Sequence, residues 1–155
     1  MCGIVGITSS KNVSASILNS LRKLEYRGYD SAGIATLESG IIKEVKCEGR
    51  VDALENNLSK QKIDGNVGIG HVRWATHGVP NTVNAHPHSS DKVSVVHNGI
   101  IENSTILKKL LIKKGYVFKS QTDTEVIVHL ITDYLKKNNL KNSIIKMLKR
   151  VHGSF

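Results

Sequence analysis

The chain has 155 residues and two cysteines, so it fits one domain whose core needs no disulfide framework. Its net charge of +9 is uneven, because residues 108–150 contain eleven Lys and Arg against three Asp and Glu. These basic residues lie on amphipathic patterns without an aromatic platform or base-reading motif, so we assign them to solvated helix faces and expect no nucleic-acid partner. No stretch approaches the ~20 apolar residues of a membrane helix, and the N-terminus lacks a signal-peptide pattern. We therefore expect a cytoplasmic enzyme or binding domain with no membrane partner.

The first half of the chain is predicted to alternate strands and helices. Ser14 is the expected N-cap of the first helix, whose apolar face includes Ile17 and Leu21. Residues 51–58 suggest a second, short helix. Residues 38–40 have the turn chemistry that joins two strands into a hairpin. The expected strands are residues 4–8, 33–37, 41–47, 67–73 and 93–97.

The second half is predicted to be helical after a long irregular segment. Residues 74–92 contain both prolines and three histidines with little periodicity, and long ordered loops are often functional. Gly115 is placed to end a helix at residues 103–114, and Thr122 with Glu125 matches a capping box that opens a helix at residues 122–136. The apolar face expected on the first of these helices comprises Ile106, Leu107, Leu110 and Leu111.

The last predicted helix spans residues 140–149. Strand pairs joined by short turns and followed by helices indicate a layered α+β fold with a largely antiparallel sheet. The apolar, glycine-containing ending at residues 151–155 has no helix stop or solvating tail. We therefore expect a domain cut from a longer protein.

The second residue of the chain is a candidate nucleophile. Removal of Met1 would leave Cys2 with a thiol and a free amine on one terminal residue. An α-amine, with an ordinary pKa of about 7.7 to 8.0, is a plausible proton acceptor for that thiol in acyl transfer. The alternative is that Cys2 merely follows the initiating methionine.

Two charged residues are candidates for binding an amino acid. Arg73 follows a predicted strand directly, and its guanidinium can bind an α-carboxylate through two parallel hydrogen bonds, although an internal salt bridge would also explain it. Asp123 lies at a predicted helix start, where a carboxylate is favourable against the helix dipole. It would equally suit an α-ammonium group, so that the two residues together would define an amino-acid pocket.

An Asn-Gly pair follows the predicted strand at residues 93–97. The side-chain amide of Asn98 and the backbone N–H of Gly99 could both donate to the oxygen of a tetrahedral intermediate, as in an oxyanion hole. The alternative is a simple turn, since Asn-Gly is a common turn sequence.

Five histidines in this region raise the question of a metal site. No third and fourth ligand recur at a zinc-like spacing, and a thiolate bound to metal would lose its availability as a nucleophile. We expect no metal and no cofactor. Cys47 is most simply a buried strand residue. The five histidines are His71, His77, His86, His88 and His97.

Together these segments resemble the N-terminal-nucleophile glutamine amidotransferases, in particular the glutaminase domain of the glutamine-fructose-6-phosphate aminotransferases, also called glucosamine-6-phosphate synthases. The resemblance covers essentially the whole chain. The related purine-pathway amidotransferases and asparagine synthetases share the cysteine, arginine, Asn-Gly and aspartate positions, but Arg-Trp-Ala-Thr-His-Gly and Asn-Ala-His-Pro-His are similar to the hexosamine enzymes. The six segments that carry the resemblance are residues 2–6, 25–33, 73–78, 84–88, 97–103 and 122–125.

The resemblance implies a four-layer αββα fold and a glutaminase in which Cys2 attacks the side-chain amide of L-glutamine, with its own amine as base. It implies that Asn98 and Gly99 form the oxyanion hole and that Arg73 and Asp123 hold the α-groups of glutamine. Further residues follow from the same match. Trp74, Thr76 and His77 would line the glutamine loop, Trp74 would also gate the passage of ammonia, and Arg27 and His86 would support the site.

In its length the chain departs from the family, whose enzymes continue into sugar-phosphate isomerase domains that bind fructose 6-phosphate and receive the ammonia. We therefore expect residues 1–155 to act as the glutaminase domain and glucosamine 6-phosphate synthesis to belong to the full-length protein. That protein is expected to be a homo-oligomer, and the isolated domain a monomer. The alternatives are the glutaminase domain of another class of amidotransferase and a catalytically silent glutamine-binding domain.

Overall fold

The computed structural model describes residues 1–75 and 78–155. The strands in this part of the chain are β1 (Gly3–Thr8), β2 (Ser31–Glu38), β3 (Ile41–Glu48), β4 (Val67–Arg73), β5 (His88–Ser89), β6 (Ser94–Val95), β7 (Ile100–Ile101) and β8 (Gly153–Ser154). The α-helices are α1 (Ser14–Leu24), α2 (Val51–Lys60), α3 (Ser104–Lys113), α4 (Glu125–Leu135) and α5 (Leu140–Leu148), and a short 3-10 helix covers Glu25–Arg27. No helix in the described ranges is long and apolar enough to cross a membrane.

The first four strands form one antiparallel sheet in the order β1-β4-β2-β3. The hairpin between β2 and β3 turns at Ser39 and Gly40, whose φ angles of 51° and 81° are those that a two-residue hairpin turn requires. In the pairing of β1 with β4, Gly3 lies opposite Val72. This register places the residue before β1 beside the carboxyl end of β4.

The sheet lies between two layers. Helices α1 and α2 cover one face and bury a cluster that includes Ile17, Leu21 and Ile34. On the other face the main chain of the second layer comes so close that a Cβ at Gly33 would lie 2.2 Å from the carbonyl oxygen of His86. Gly33 is therefore required where the two layers meet.

Beyond the second layer, α4 packs on β5 and β6, and α3 and α5 pack against α4. A second apolar cluster fills this region and includes Ile101, Leu111 and Val126. The order of layers agrees with the expected αββα arrangement, and the α+β class with antiparallel sheets is confirmed. In the described residues the second strand layer consists of two short ribbons, β5-β6 and β7-β8.

Two predictions about helix starts were wrong. Ser14 is the first residue of α1 rather than its cap, and its hydroxyl donates to the carbonyl oxygen of Ile63 at 2.5 Å. The expected capping box at Thr122 is also absent, because α4 begins at Glu125. The Glu125 carboxylate instead accepts the backbone N–H groups of Lys119 and Ser120, at 2.9 and 2.7 Å.

Two apolar patterns were longer in the prediction than in the structure. Of the expected strand at residues 93–97, only Ser94–Val95 pairs as β6. Of the expected apolar face of α3, Leu107 and Leu111 are buried, whereas Ile106 is 64% exposed and Leu110 is 42% exposed. The helical period was correct, but the buried stripe is narrower than the sequence pattern. Gly115 ends α3 as predicted, with a φ of 89°.

Candidate active site

Cys2 lies at the amino end of β1, beside the carboxyl end of β4. Its Sγ accepts the backbone N–H of Trp74 at 3.2 Å, and its carbonyl oxygen accepts the Nε–H of Arg27 at 3.0 Å. Met1 still precedes it and is 81% exposed. Cys2 is therefore held at a strand end by two adjoining chain segments, through its thiol and through its carbonyl group.

The approach of those two segments depends on a glycine. A Cβ at Gly28 would lie 2.7 Å from the carbonyl oxygen of Arg73 and 2.8 Å from the nitrogen of Trp74. The carbonyl oxygen of Arg73 also accepts the N–H of Asp30 at 3.1 Å, and the Asp30 carboxylate accepts the N–H of Ala75 at 2.6 Å. These contacts fix the backbone that touches the Cys2 thiol.

A cavity of about 320 Å³ opens in front of this thiol, within the range of small-molecule sites. Every site residue that was predicted from the sequence and lies within the described residues lines this cavity. Thr76 and His77 lie outside the described residues. The cavity is lined by Met1, Cys2, Arg27, Arg73, Trp74, His86, His97, Asn98, Gly99, Ile100, Thr122, Asp123 and Thr124.

The two charged residues predicted to bind an amino acid both reach this cavity. Arg73 ends β4, is only 4% exposed, and donates from Nη2 to the carbonyl oxygen of Gly78 at 3.2 Å. Burial lowers its pKa, whereas the nearby acidic groups of Cys2, Asp30 and Asp123 act in the opposite direction. The guanidinium is therefore a buried cation aimed at a site that also contains a carboxylate.

The sequence pattern predicted Asp123 within a helix at residues 122–136, but in the structure Asp123 precedes α4. Its Oδ2 accepts the backbone N–H of Ile101 at 2.6 Å. This hydrogen bond joins the start of α4 to β7 and holds the carboxylate at the cavity.

Asn98 and Gly99 also line the cavity and lie immediately before β7. The Asn98 Oδ1 lies 2.8 Å from Nε2 of His71, a fully buried residue of β4. A Cβ at Gly99 would lie 2.0 Å from the carbonyl oxygen of Ser154. The backbone of β8 therefore packs directly against Gly99, and a larger residue at this position would force one of the two backbones to move.

Behind the cavity, three imidazoles pack against one another. The rings of His71 and His86 are stacked at 4.4 Å, and His88 meets His86 edge-on at 4.6 Å. Burial lowers all three pKa values, to about 4 for His71 and about 3 for His88. These rings are therefore neutral at pH 7 and pack as polar core side chains. Within residues 1–75 and 78–155, no group of three or more His, Cys, Asp and Glu could hold a metal ion.

The hydroxyl of Thr124 connects this cluster to the cavity wall. It lies 3.0 Å from Nε2 of His86 and 3.0 Å from Nδ1 of His97, and all three residues line the cavity. His97 and Thr124 lie in two of the segments that carry the family resemblance, but no role at the site was predicted for either residue. For His71 a signal existed: it precedes Arg73 by two residues in β4, and strand alternation places both on one face.

Cys47, by contrast, is not at the site. It is 3% exposed in the cluster under α1 and α2, as predicted, and burial raises the pKa of its thiol.

Comparison with known proteins agrees with this geometry. A family model described as a glutamine amidotransferase domain matches residues 71–155. Relatives named glutamine-fructose-6-phosphate aminotransferase (isomerizing) are 55% identical in Clostridium acetobutylicum, 53% in Mesorhizobium japonicum and 51% in Pyrococcus horikoshii. Each match covers all of this chain and 26% of the relative, so the chain spans about a quarter of the length of these curated relatives.

Two solved structures share the fold over 99% of this chain. One is the glutamine phosphoribosylpyrophosphate amidotransferase from B. subtilis, with a TM-score of 0.80, 29% identity and 33% of that chain covered. The other is described as the allosteric regulatory enzyme of purine biosynthesis, with a TM-score of 0.82, 30% identity and 34% of that chain covered. The family model, the relatives and the fold all lead to one conclusion: the chain belongs to the glutamine amidotransferase family.

Proposed function

We propose that this chain hydrolyses L-glutamine to glutamate and ammonia through a thioester on Cys2. The main support is the shared cavity: the Cys2 thiol, a buried guanidinium and a carboxylate all face one space of about 320 Å³. Arg73 would bind the α-carboxylate through two parallel hydrogen bonds, and Asp123 would bind the α-ammonium. We expect a ligand with both α-groups held in this way to place its side chain near Cys2 and Asn98, which line the same cavity.

In the proposed reaction, Cys2 attacks the side-chain amide carbon of glutamine and the carbonyl oxygen becomes an oxyanion. The side-chain amide of Asn98 and the N–H of Gly99 donate to this oxygen, and one such donor is typically worth about 3 to 4 kcal/mol in the transition state. The α-amine of Cys2 accepts the thiol proton and returns a proton to the departing nitrogen, so that ammonia leaves. Water then hydrolyses the thioester to glutamate and regenerates the thiol.

Removal of Met1 is a condition of this chemistry. With Met1 attached, the nitrogen of Cys2 belongs to a peptide bond and cannot act as a base. Met1 also lines the cavity, and its Sδ lies 4.0 Å from Nη2 of Arg27. Its removal would therefore supply the base and enlarge the space in front of the thiol.

The acceptor of the ammonia is proposed from the relatives, whose name specifies transfer from glutamine to fructose 6-phosphate. We propose that residues 1–155 belong to the glutaminase part of such a protein, that its sugar-phosphate isomerase domains receive the ammonia, and that glucosamine 6-phosphate is formed. A cytoplasmic, homo-oligomeric enzyme fits this role. Trp74, which is 46% exposed at the cavity, would line the glutamine loop with Thr76 and His77 and control ammonia passage.

The test uses the full-length protein with glutamine and fructose 6-phosphate, followed by separate detection of glutamate and amino sugar. We expect both products in equal amounts, and neither in Cys2→Ala. Glutamate without amino sugar would reject the acceptor and favour another class of amidotransferase. Glutamine binding without either product in Met1-free protein would reject the glutaminase and favour a silent binding domain.

A further inference from the structure

We infer that His71 is a positioning residue, which turns the side-chain amide of Asn98 so that its Nδ2 donates into the cavity. This inference rests on the proposed glutaminase function and assigns a role to a residue that does not itself line the described part of the cavity wall. The contact that carries it joins His71 Nε2 to Asn98 Oδ1 at 2.8 Å.

The orientation of Asn98 matters because its two ends have opposite chemistry. The amide nitrogen donates two hydrogen bonds, whereas the amide oxygen only accepts them. An oxygen facing the cavity would repel the developing oxyanion, and a nitrogen facing it would stabilise that charge. A partner behind Asn98 that is a donor selects the second arrangement, because it binds Oδ1 and leaves Nδ2 toward the ligand.

His71 is suited to be that donor. It is fully buried and stacked at 4.4 Å on His86, and its backbone lies between β1 and β2, opposite Ile4 and Gly33. Burial lowers its pKa to about 4, so the ring carries one proton at pH 7. The Asn98 side chain and the His97 backbone are both hydrogen-bond partners of this ring and act against the effect of burial on its pKa. We place the single proton on Nε2, the nitrogen that faces Oδ1. The strand and the stack hold the ring, and the ring in turn holds the amide.

A matched set of variants separates this role from general packing. His71→Met removes the donor and approximates the volume, whereas His71→Gln restores an N–H at a similar reach. His129→Met is the control, because His129 is half-buried against Phe118 at 4.5 Å in α4 and is not among the described residues that line the cavity. Glutaminase kcat and KM are measured on the Met1-free, full-length protein, with unfolding free energies measured in parallel.

We expect kcat to fall about 10- to 100-fold in His71→Met, below the 100- to 1,000-fold typical of deleting an oxyanion donor outright. KM should change less than about threefold, because the ground state of glutamine does not carry the oxyanion. His71→Gln should recover most of kcat, and His129→Met should retain it. A normal kcat in His71→Met, or equal losses in the Met and Gln variants, would overturn the inference.

A measurement on the unsubstituted protein does not depend on how the variants fold. Nitrogen-15 chemical shifts of the histidine rings distinguish the protonated ring nitrogen from the unprotonated one, and we expect His71 to carry its proton on Nε2. A proton on Nδ1 would make Nε2 an acceptor, reverse the amide of Asn98 and refute the inference. Absence of turnover in the unsubstituted protein would instead refute the proposed function, whatever the tautomer.

Discussion

We expect the buried histidines to make the fold sensitive to mild acid, and His88 shows how large this effect should be. Its ring is 4% exposed, its Nε2 lies 2.9 Å from the Thr122 hydroxyl, and burial lowers its pKa to about 3. An unfolded histidine has a pKa near 6.5. Between these two values the unfolded state binds a proton that the folded state excludes, so stability is retained above about pH 6.5 and lost as the pH falls toward 3.

The size of the effect follows from the same pKa values. One such histidine lowers the free energy of unfolding by about 1.4 kcal/mol for each pH unit in this window. From pH 6.5 to 4.5 this gives about 2 kcal/mol for His88 and about 4 to 5 kcal/mol when His71, with a pKa of about 4, is included. A small domain has about 5 to 15 kcal/mol in total. We therefore expect marked destabilisation by pH 4.5.

The assay is urea unfolding at several pH values between 7.5 and 4.5, a range that avoids most carboxylate titration. His88→Gln keeps a side chain that can hydrogen-bond the Thr122 hydroxyl but does not titrate, so its stability should fall about 1.4 kcal/mol less per pH unit than that of the unsubstituted protein. His152→Gln, at an exposed position, is the control for replacing a histidine by glutamine as such. An unchanged slope in His88→Gln would refute the assignment of acid sensitivity to this buried ring.

Three further substitutions test the site. Arg73→Lys keeps a buried cation but loses the paired hydrogen bonds to a carboxylate. We therefore expect the Kd of glutamine, measured by calorimetry, to rise about 10- to 100-fold. An unaltered Kd would show that Arg73 does not bind glutamine. Asp123→Asn keeps an acceptor for the backbone N–H of Ile101 and removes the charge. Glutamine affinity should therefore fall about 10-fold, while the midpoint of thermal unfolding should change little. A large loss of stability without a loss of affinity would assign Asp123 a structural role. Gly28→Ala introduces a Cβ 2.7 Å from a carbonyl oxygen of the backbone that contacts the Cys2 thiol, so kcat should fall at least about 10-fold. The control is Gly6→Ala, whose Cβ meets no described atom within 4 Å. Equal rates in the two variants would contradict this geometry.

The sequence predicted the elements whose patterns are local. β4 spans the predicted residues 67–73, and the helical spacing of apolar residues correctly placed Ile17 and Leu21 of α1 in the core. The start of α4 was not predicted correctly, because Glu125 satisfies backbone groups of the preceding loop rather than those of its own cap. That choice depends on the folded path of residues 119–124, which no local pattern encodes.

The site residues at strand ends could be predicted from the sequence, whereas the residues packed behind them could not. Cys2, Arg73 and Asn98 carry chemistry that indicates a role from the sequence, and all three line the cavity. His71 and Thr124 act through contacts across the two layers, so their partners are distant in sequence. Strand alternation relates His71 to Arg73, but only the tertiary structure shows that the ring faces an amide rather than solvent.

We propose Cys2 as the nucleophile and expect it to react only after Met1 has been removed. The direct test is intact-mass analysis and peptide mapping after treatment with an electrophilic analogue of glutamine, on preparations with and without Met1. Cys47 is the internal control, because it is 3% exposed and burial raises the pKa of its thiol. We predict one adduct, on Cys2, in Met1-free chains only. An adduct on Cys47, or equal labelling of Cys2 in chains that retain Met1, would show that Cys2 with a free amine is not the nucleophile.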